Sequence, residues 1–185
     1  LKFNPNKYVS KETEFNGQKI KYRAYENIVY VKIPVDKDYQ NMNIYIPEEY
    51  FNNSSIGSYN SNNAPIFFPN TVGGYMPGKA DTVGLGRDGK ANSLTYALSK
   101  GYVVAAPSVR GRTLTDSKGN YIGKAPAAIV DLKAAVRYLY LNDEIIPGDA
   151  NKIISNGTSA GGALSALLGA SGNSQDYLPY LKEIG

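Results

Sequence analysis

Along residues 18–33 apolar and polar positions alternate, with Ile20, Tyr22, Ala24 and then Ile28 and Tyr30 on one side and Val29 and Val31 on the other. That period of two predicts a strand pair or one bent strand. Residues 41–46 alternate again through Met42, Ile44 and Ile46 and stop at Pro47, a second strand. Residues 52–63 are rich in Asn, Ser and Gly and read as a surface loop whose Asn-x-Ser sequons are incidental. The pattern then changes. Residues 64–69 (A-P-I-F-F-P) and 102–106 (Y-V-V-A-A) are short apolar runs, as strands buried on both faces require, and Pro147-Gly148-Asp149 turns the chain into a further strand at 152–155 (K-I-I-S). Between and after them come helical spacings: Leu94, Ala97 and Leu98 behind a Ser93 cap and ahead of Gly101, then Ile129, Leu132, Val136 and Leu139 behind Pro126, then residues 161–170. Strand and helix alternate three times from Ala64 onward. The predicted fold is α/β: a mostly parallel sheet flanked by helices, preceded by antiparallel strands, in one domain over residues 1–185 without repeat or linker.

Composition narrows the chemistry. The hydrophobic fraction of 42%, with 16 Tyr and 5 Phe, supplies a core, so the chain is not disordered. The net charge of +4 is scattered and forms no basic run, which argues against a nucleic-acid partner. No stretch approaches the roughly 18 apolar residues of a membrane span. Cysteine is absent, which excludes disulfides, thiolate nucleophiles and Cys-ligated zinc. Histidine is absent as well, so a complete Ser-His-acid triad cannot be assembled from these residues.

One segment nevertheless carries a nucleophile pattern. The strand at 152–155 runs into Asn156-Gly157-Thr158-Ser159-Ala160-Gly161-Gly162, and a helix follows at once. Gly157-x-Ser159-x-Gly161 is the nucleophile-elbow pattern: the reversal from strand to helix strains the central residue and needs small neighbours. Such a corner lifts the Ser159 hydroxyl above the sheet at a helix N-terminus, where free N–H groups favour a developing negative charge. The bland alternative is a tight turn that merely needs glycine. A second segment supports the first. Directly after the strand at 64–69 comes Asn70-Thr71-Val72-Gly73-Gly74-Tyr75-Met76-Pro77-Gly78. Acyl-transfer enzymes of this architecture take one oxyanion donor from the residue after the nucleophile, here Ala160, and another from a Gly-rich loop after an earlier strand, here Gly73 or Gly74.

Other motifs read as structural. Gly84-Leu85-Gly86-Arg87-Asp88-Gly89 fits the dinucleotide fingerprint, but residues 79–83 do not form the strand that must lead into it. Arg110 and Arg112 follow the strand at 102–106 and are expected to anchor a loop to a carboxylate. Asp131 and Lys133 are expected on a solvated helix face, and residues 116–120 have turn chemistry with too few carboxylates for calcium.

Three segments together, P-N-T-V-G-G-Y-M-P-G (69–78), G-K-A-P-A-A-I-V-D-L-K-A-A-V-R-Y-L (123–139) and I-S-N-G-T-S-A-G-G-A-L-S-A-L-L-G (154–169), carry a resemblance. The chain resembles the N-terminal part of an α/β-hydrolase, and more closely the bacterial tannase and feruloyl-esterase-like carboxylesterases. The resemblance implies ester hydrolysis through an acyl-enzyme on a small-molecule ester. Ser159 would be the nucleophile, Ala160 and Gly73 or Gly74 would hold the oxyanion, and neither metal nor organic cofactor would be needed. It also suggests an aromatic acyl group, with Tyr75 and Met76 beside its pocket. In that superfamily the triad acid and histidine follow the nucleophile in the chain. No histidine follows Ser159, and Asp176 and Glu183 come too soon after the elbow helix. The expectation is therefore a single incomplete domain. Its C-terminal strands and lid lie beyond Gly185, on the rest of the same enzyme, whether a separate chain or a missing segment. The alternative is a non-catalytic hydrolase-like binding module that lost its base. A start at Leu1 and the absence of cysteine fit an exported bacterial protein better than a cytoplasmic one.

Overall fold

Asn16 and Gly17, both at positive φ (50° and 74°), turn the chain between β1 (Val9–Phe15) and β2 (Gln18–Val29), which pair antiparallel from Phe15↔Gln18 outward. Asn-Gly at positive φ is the hairpin connection whose twist matches the flanking strands. The computed structural model describes residues 1–185. β2 is the one bent strand of the two readings of residues 18–33. Its register on β3 (Asn41–Pro47) shifts between Tyr25 and Ile28, where Asn27 takes a φ of 58°. Beyond Val29 the chain leaves the sheet.

β4 (Ile66–Pro69), α1 (Ser93–Ser99), β5 (Val103–Pro107), α2 (Ala127–Leu141), β6 (Ile153–Asn156), α3 (Ala160–Ser171) and α4 (Leu178–Glu183) follow in order. One six-stranded sheet results, ordered β1-β2-β3-β5-β4-β6. It is mixed, which corrects the mostly parallel sheet read from the alternation of strand and helix. β1, β2, β3 and β5 are joined antiparallel, and only β5-β4 and β4-β6 are parallel. The physical reason is that β3, buried along its whole length, continues the same sheet against β5 instead of forming a separate layer.

Burial follows the alternation within β5. Val103 and Ala105 join a core of 28 residues with Ile66, Phe68, Ile129, Leu132 and Leu139 on the α2 and α3 side. Val104 and Ala106 join a smaller core of 9 residues with Tyr45, Leu94 and Leu98 on the α1 side. Helix α1 is capped one residue earlier than predicted: the Asn92 side chain accepts the Thr95 N–H at 3.0 Å, and Ser93 is the first helical residue. Gly101, at φ 84°, follows its end.

The helix face of Asp131 and Lys133 is not solvated. Asp131 is fully buried and Lys133 is 6% exposed. Each has a partner that the sequence spacing does not reveal. Asp131 is clasped by Arg110, and the Lys133 ammonium donates to the Gly172 carbonyl at 2.6 Å and lies over the Tyr177 ring. Burial pushes Lys133 below its ordinary value, and the neighbouring charge of Arg137 adds to the effect. No helix is long and apolar enough to cross a membrane.

Candidate active site

The three parallel strands end at Pro69, Pro107 and Asn156, so the segments that follow them leave the sheet at one edge. After β6 the chain reverses through Gly157, Thr158 and Ser159 into α3. Ser159 sits at φ 56°, ψ −124°, is exposed, and makes no capping hydrogen bond with its side chain. A non-glycine residue there costs on the order of 1–3 kcal/mol and persists only where its surroundings impose it. The surroundings do impose it. A Cβ on Gly157 would collide with the Gly161 carbonyl, and one on Gly161 would stand 2.6 Å from Asn70 Oδ1 and 2.9 Å from the Val72 carbonyl. Close packing of backbone on backbone leaves the corner no wider path. Ala160 is the first residue of α3 and is buried, with its N–H among the helix-start donors that lack an intrahelical acceptor. The helix dipole concentrates partial positive charge at the same point.

The segment after β4 meets this corner directly. The Gly161 N–H donates to the Val72 carbonyl at 3.1 Å, which brings residue 73 beside the start of α3. Residues 73–76 form a turn closed by the Met76 N–H on the Gly73 carbonyl at 3.0 Å, with Gly74 and Tyr75 both at positive φ (57° and 56°). The N–H groups of Gly73, Gly74 and Tyr75 donate to nothing within the chain. Tyr75 and Met76 are 47% and 42% exposed, so neither belongs to the core. The structure thus brings the segments of Ser159, Ala160, Gly73, Gly74, Tyr75 and Met76 together at one sheet edge.

A third segment, after β5, braces the turn from its other side. Gly78 and Val109 exchange backbone hydrogen bonds at 3.0 and 2.9 Å. The Arg112 N–H donates to the Tyr75 carbonyl and its Nε to the Gly74 carbonyl, both at 2.8 Å. Arg112 therefore anchors a loop to a pair of carbonyls, whereas the sequence reading placed it on a carboxylate. Arg110 does take a carboxylate. Its Nη2 and Nε donate to Asp131 at 2.8–3.2 Å, its backbone N–H adds a bond at 2.9 Å, and Gln40 Nε2 completes the Asp131 shell at 2.9 Å. Burial pushes the Asp131 carboxyl up, and the hydrogen bonds and charge of Arg110 pull it back. Arg110 Nη1 also holds the Ile122 carbonyl, so the whole excursion from 108 to 126 hangs on α2. Nothing in the spacing of Arg112 signals its grip on residues 74 and 75.

A cavity of about 750 Å³ lies elsewhere. It opens between α2 and α3 among Lys133, Arg137, Ser155, Ser165 and Leu168, and neither Ser159 nor residues 73–76 line it. No cluster of three or more His, Cys, Asp or Glu side chains is placed to hold a metal ion. Residues 79–83 form no strand, so the glycine motif that begins at Gly84 lacks the context of a dinucleotide site.

No curated protein sequence matches the chain. Among solved structures, a tannase from Fusobacterium nucleatum is 91% identical and superposes with a TM-score of 0.99 over 100% of this chain and 39% of its own. A tannase from Lactobacillus plantarum is 47% identical with a TM-score of 0.93, over 99% of this chain and 39% of its own. A tannin acyl hydrolase in complex with ethyl gallate is 47% identical with a TM-score of 0.92, over 99% of this chain and 40% of its own. The chain thus spans about two fifths of the length of the tannases it matches. The BD-FAE family model matches residues 73–183, from the turn beside the strained serine to α4, and with it the chain belongs to the BD-FAE family of esterase-like α/β-hydrolases.

Proposed function

We propose that these residues are the nucleophile-bearing part of a serine carboxylic-ester hydrolase of the tannase type. The observation that carries the reading is Ser159, a non-glycine residue held at φ 56° between β6 and α3 with its side chain exposed. Its Oγ attacks the ester carbonyl while a base takes its proton, and the carbonyl oxygen becomes an anion. The N–H of Ala160 and an N–H at Gly73 or Gly74 hold that anion. Collapse breaks the bond to the alcohol, which leaves with the proton, and water then releases the acid from the acyl-enzyme by the same steps. Tyr75 and Met76 flank the acyl group. The complexes of similar tannin acyl hydrolases with ethyl gallate and 3,4-dihydroxybenzoate favour esters of hydroxylated benzoic acids.

The base and its acid partner come from the polypeptide beyond Gly185. The chain has no histidine, and a serine without a nearby base keeps a high pKa and attacks weakly. An aryl phosphonate that labels active serines, applied to the 185-residue chain with and without the remaining polypeptide, tests this. Ser159 is expected to be labelled only when the rest is present. Absence of label in both would identify a non-catalytic binding module, and rapid label on the 185 residues alone would show that no outside base is needed.

A further inference from the structure

The segment after β4 and the corner after β6 are joined by one buried side chain that the reaction scheme does not use. Asn70, 8% exposed, stands directly after β4. Its Oδ1 accepts the Val72 N–H at 3.2 Å. Its Nδ2 donates to the Gly161 carbonyl at 3.1 Å, the Asn156 carbonyl at 3.3 Å and Ser165 Oγ at 3.2 Å. With the Gly161 N–H on the Val72 carbonyl at 3.1 Å, these bonds close a ring. It runs from the Asn70 amide to the Gly161 carbonyl, from the Gly161 N–H to the Val72 carbonyl, and from the Val72 N–H back to Asn70 Oδ1. Members of such a closed network polarise one another, and its geometry has little freedom.

Residue 73 leaves the ring on one side and Ala160 adjoins it on the other. The direct bond from the Gly161 N–H to the Val72 carbonyl joins the two N–H-bearing segments, and the Asn70 amide holds both peptides of that bond in place. We infer that Asn70 is a positioning residue that sets the width of the anion cradle, acting through the Val72 and Gly161 peptides without touching the substrate. The inference rests on the ester-hydrolase reading above. A cradle of the wrong width still admits a planar ester, but it fails the oxyanion, whose charge exists only in the transition state. The signature is a fall in kcat at nearly constant KM.

The test uses the full-length protein and p-nitrophenyl acetate. Asn70→Ala removes both functions of the amide. Asn70→Asp keeps the size and the Val72 contact but cannot donate to Gly161 or Asn156. For Asn70→Ala, kcat is expected to fall about 100-fold, the size of losing one oxyanion donor. KM should stay within about threefold, and inhibition by phenylboronic acid, which forms a tetrahedral adduct on serine, should weaken in parallel with kcat. Asn70→Asp should lose at least as much. A folded variant with kcat within about threefold of the parent overturns the inference, as does a rise in KM at unchanged kcat. Failure of both variants to fold, judged by circular dichroism, also overturns it by making Asn70 a residue of stability alone. Ser159→Ala measured alongside separates the two layers. Hydrolysis surviving in Ser159→Ala defeats the ester-hydrolase reading itself, whereas an inactive Ser159→Ala beside fully active Asn70 variants defeats only the role of Asn70.

Discussion

Ser159→Ala in the full-length protein is expected to lower kcat for a carboxylic ester by about a million-fold while leaving KM nearly unchanged. The size follows from the way a nucleophile and its base act as one unit: removing the hydroxyl forfeits the acyl-enzyme route and leaves only what binding and an anion cradle can do for attack by water. KM should hold because Ser159 is exposed and small, and the exposed side chains of Tyr75 and Met76, proposed to flank the acyl group, remain in place. Steady-state kinetics on a chromogenic ester, with melting temperature as a control for folding, decides the matter. A variant within about tenfold of the parent would remove Ser159 from the chemistry.

Asp131→Ala carries the largest expected stability effect. The carboxylate is fully buried and receives four hydrogen bonds from Arg110, backbone and side chain, and one from Gln40. Its loss strands the Arg110 guanidinium, whose side chain is only 10% exposed, without a counter-charge. Removing one partner of a buried pair costs about 3–5 kcal/mol. Because the excursion from 108 to 126 hangs on this pair, Arg112 should also lose its hold on the Gly74 and Tyr75 carbonyls, and activity should fall before global unfolding. Urea titration of the full-length protein should show the midpoint falling at unchanged slope. An unshifted midpoint would mean that the pair contributes nothing that water cannot replace.

The parts of this molecule readable from sequence are those where a local pattern has a single physical outcome. Short apolar runs became β4 and β5, the segment after the Pro147-Gly148-Asp149 turn became β6, and glycines at fixed spacing around Ser159 permitted a corner that larger residues forbid. Strand direction was not local information: whether β5 lies beside a parallel or an antiparallel neighbour depends on β3 crossing the molecule to meet it. β1 escaped notice because most of its side chains are exposed and polar, and the Asn16-Gly17 turn that creates it was not read as a hairpin. Asp131 misled for the opposite reason. A carboxylate within a helical pattern reads as solvated unless its partner is known, and that partner, Arg110, is 21 residues earlier in the chain. Asn70 and Arg112 hold backbone carbonyls, which every residue possesses, so no sequence motif announces either role.

With Ser159 as the proposed nucleophile, the backbone at that position sets chemistry against durability. Glycine would occupy that twisted geometry without steric penalty, so the hydroxyl is kept there at a cost in folding free energy. Heat-tolerance screens blind to turnover would accordingly reward glycine at this site and yield hardy but inert protein. Serine persisting through such a screen would mean that turnover, too, had been under selection.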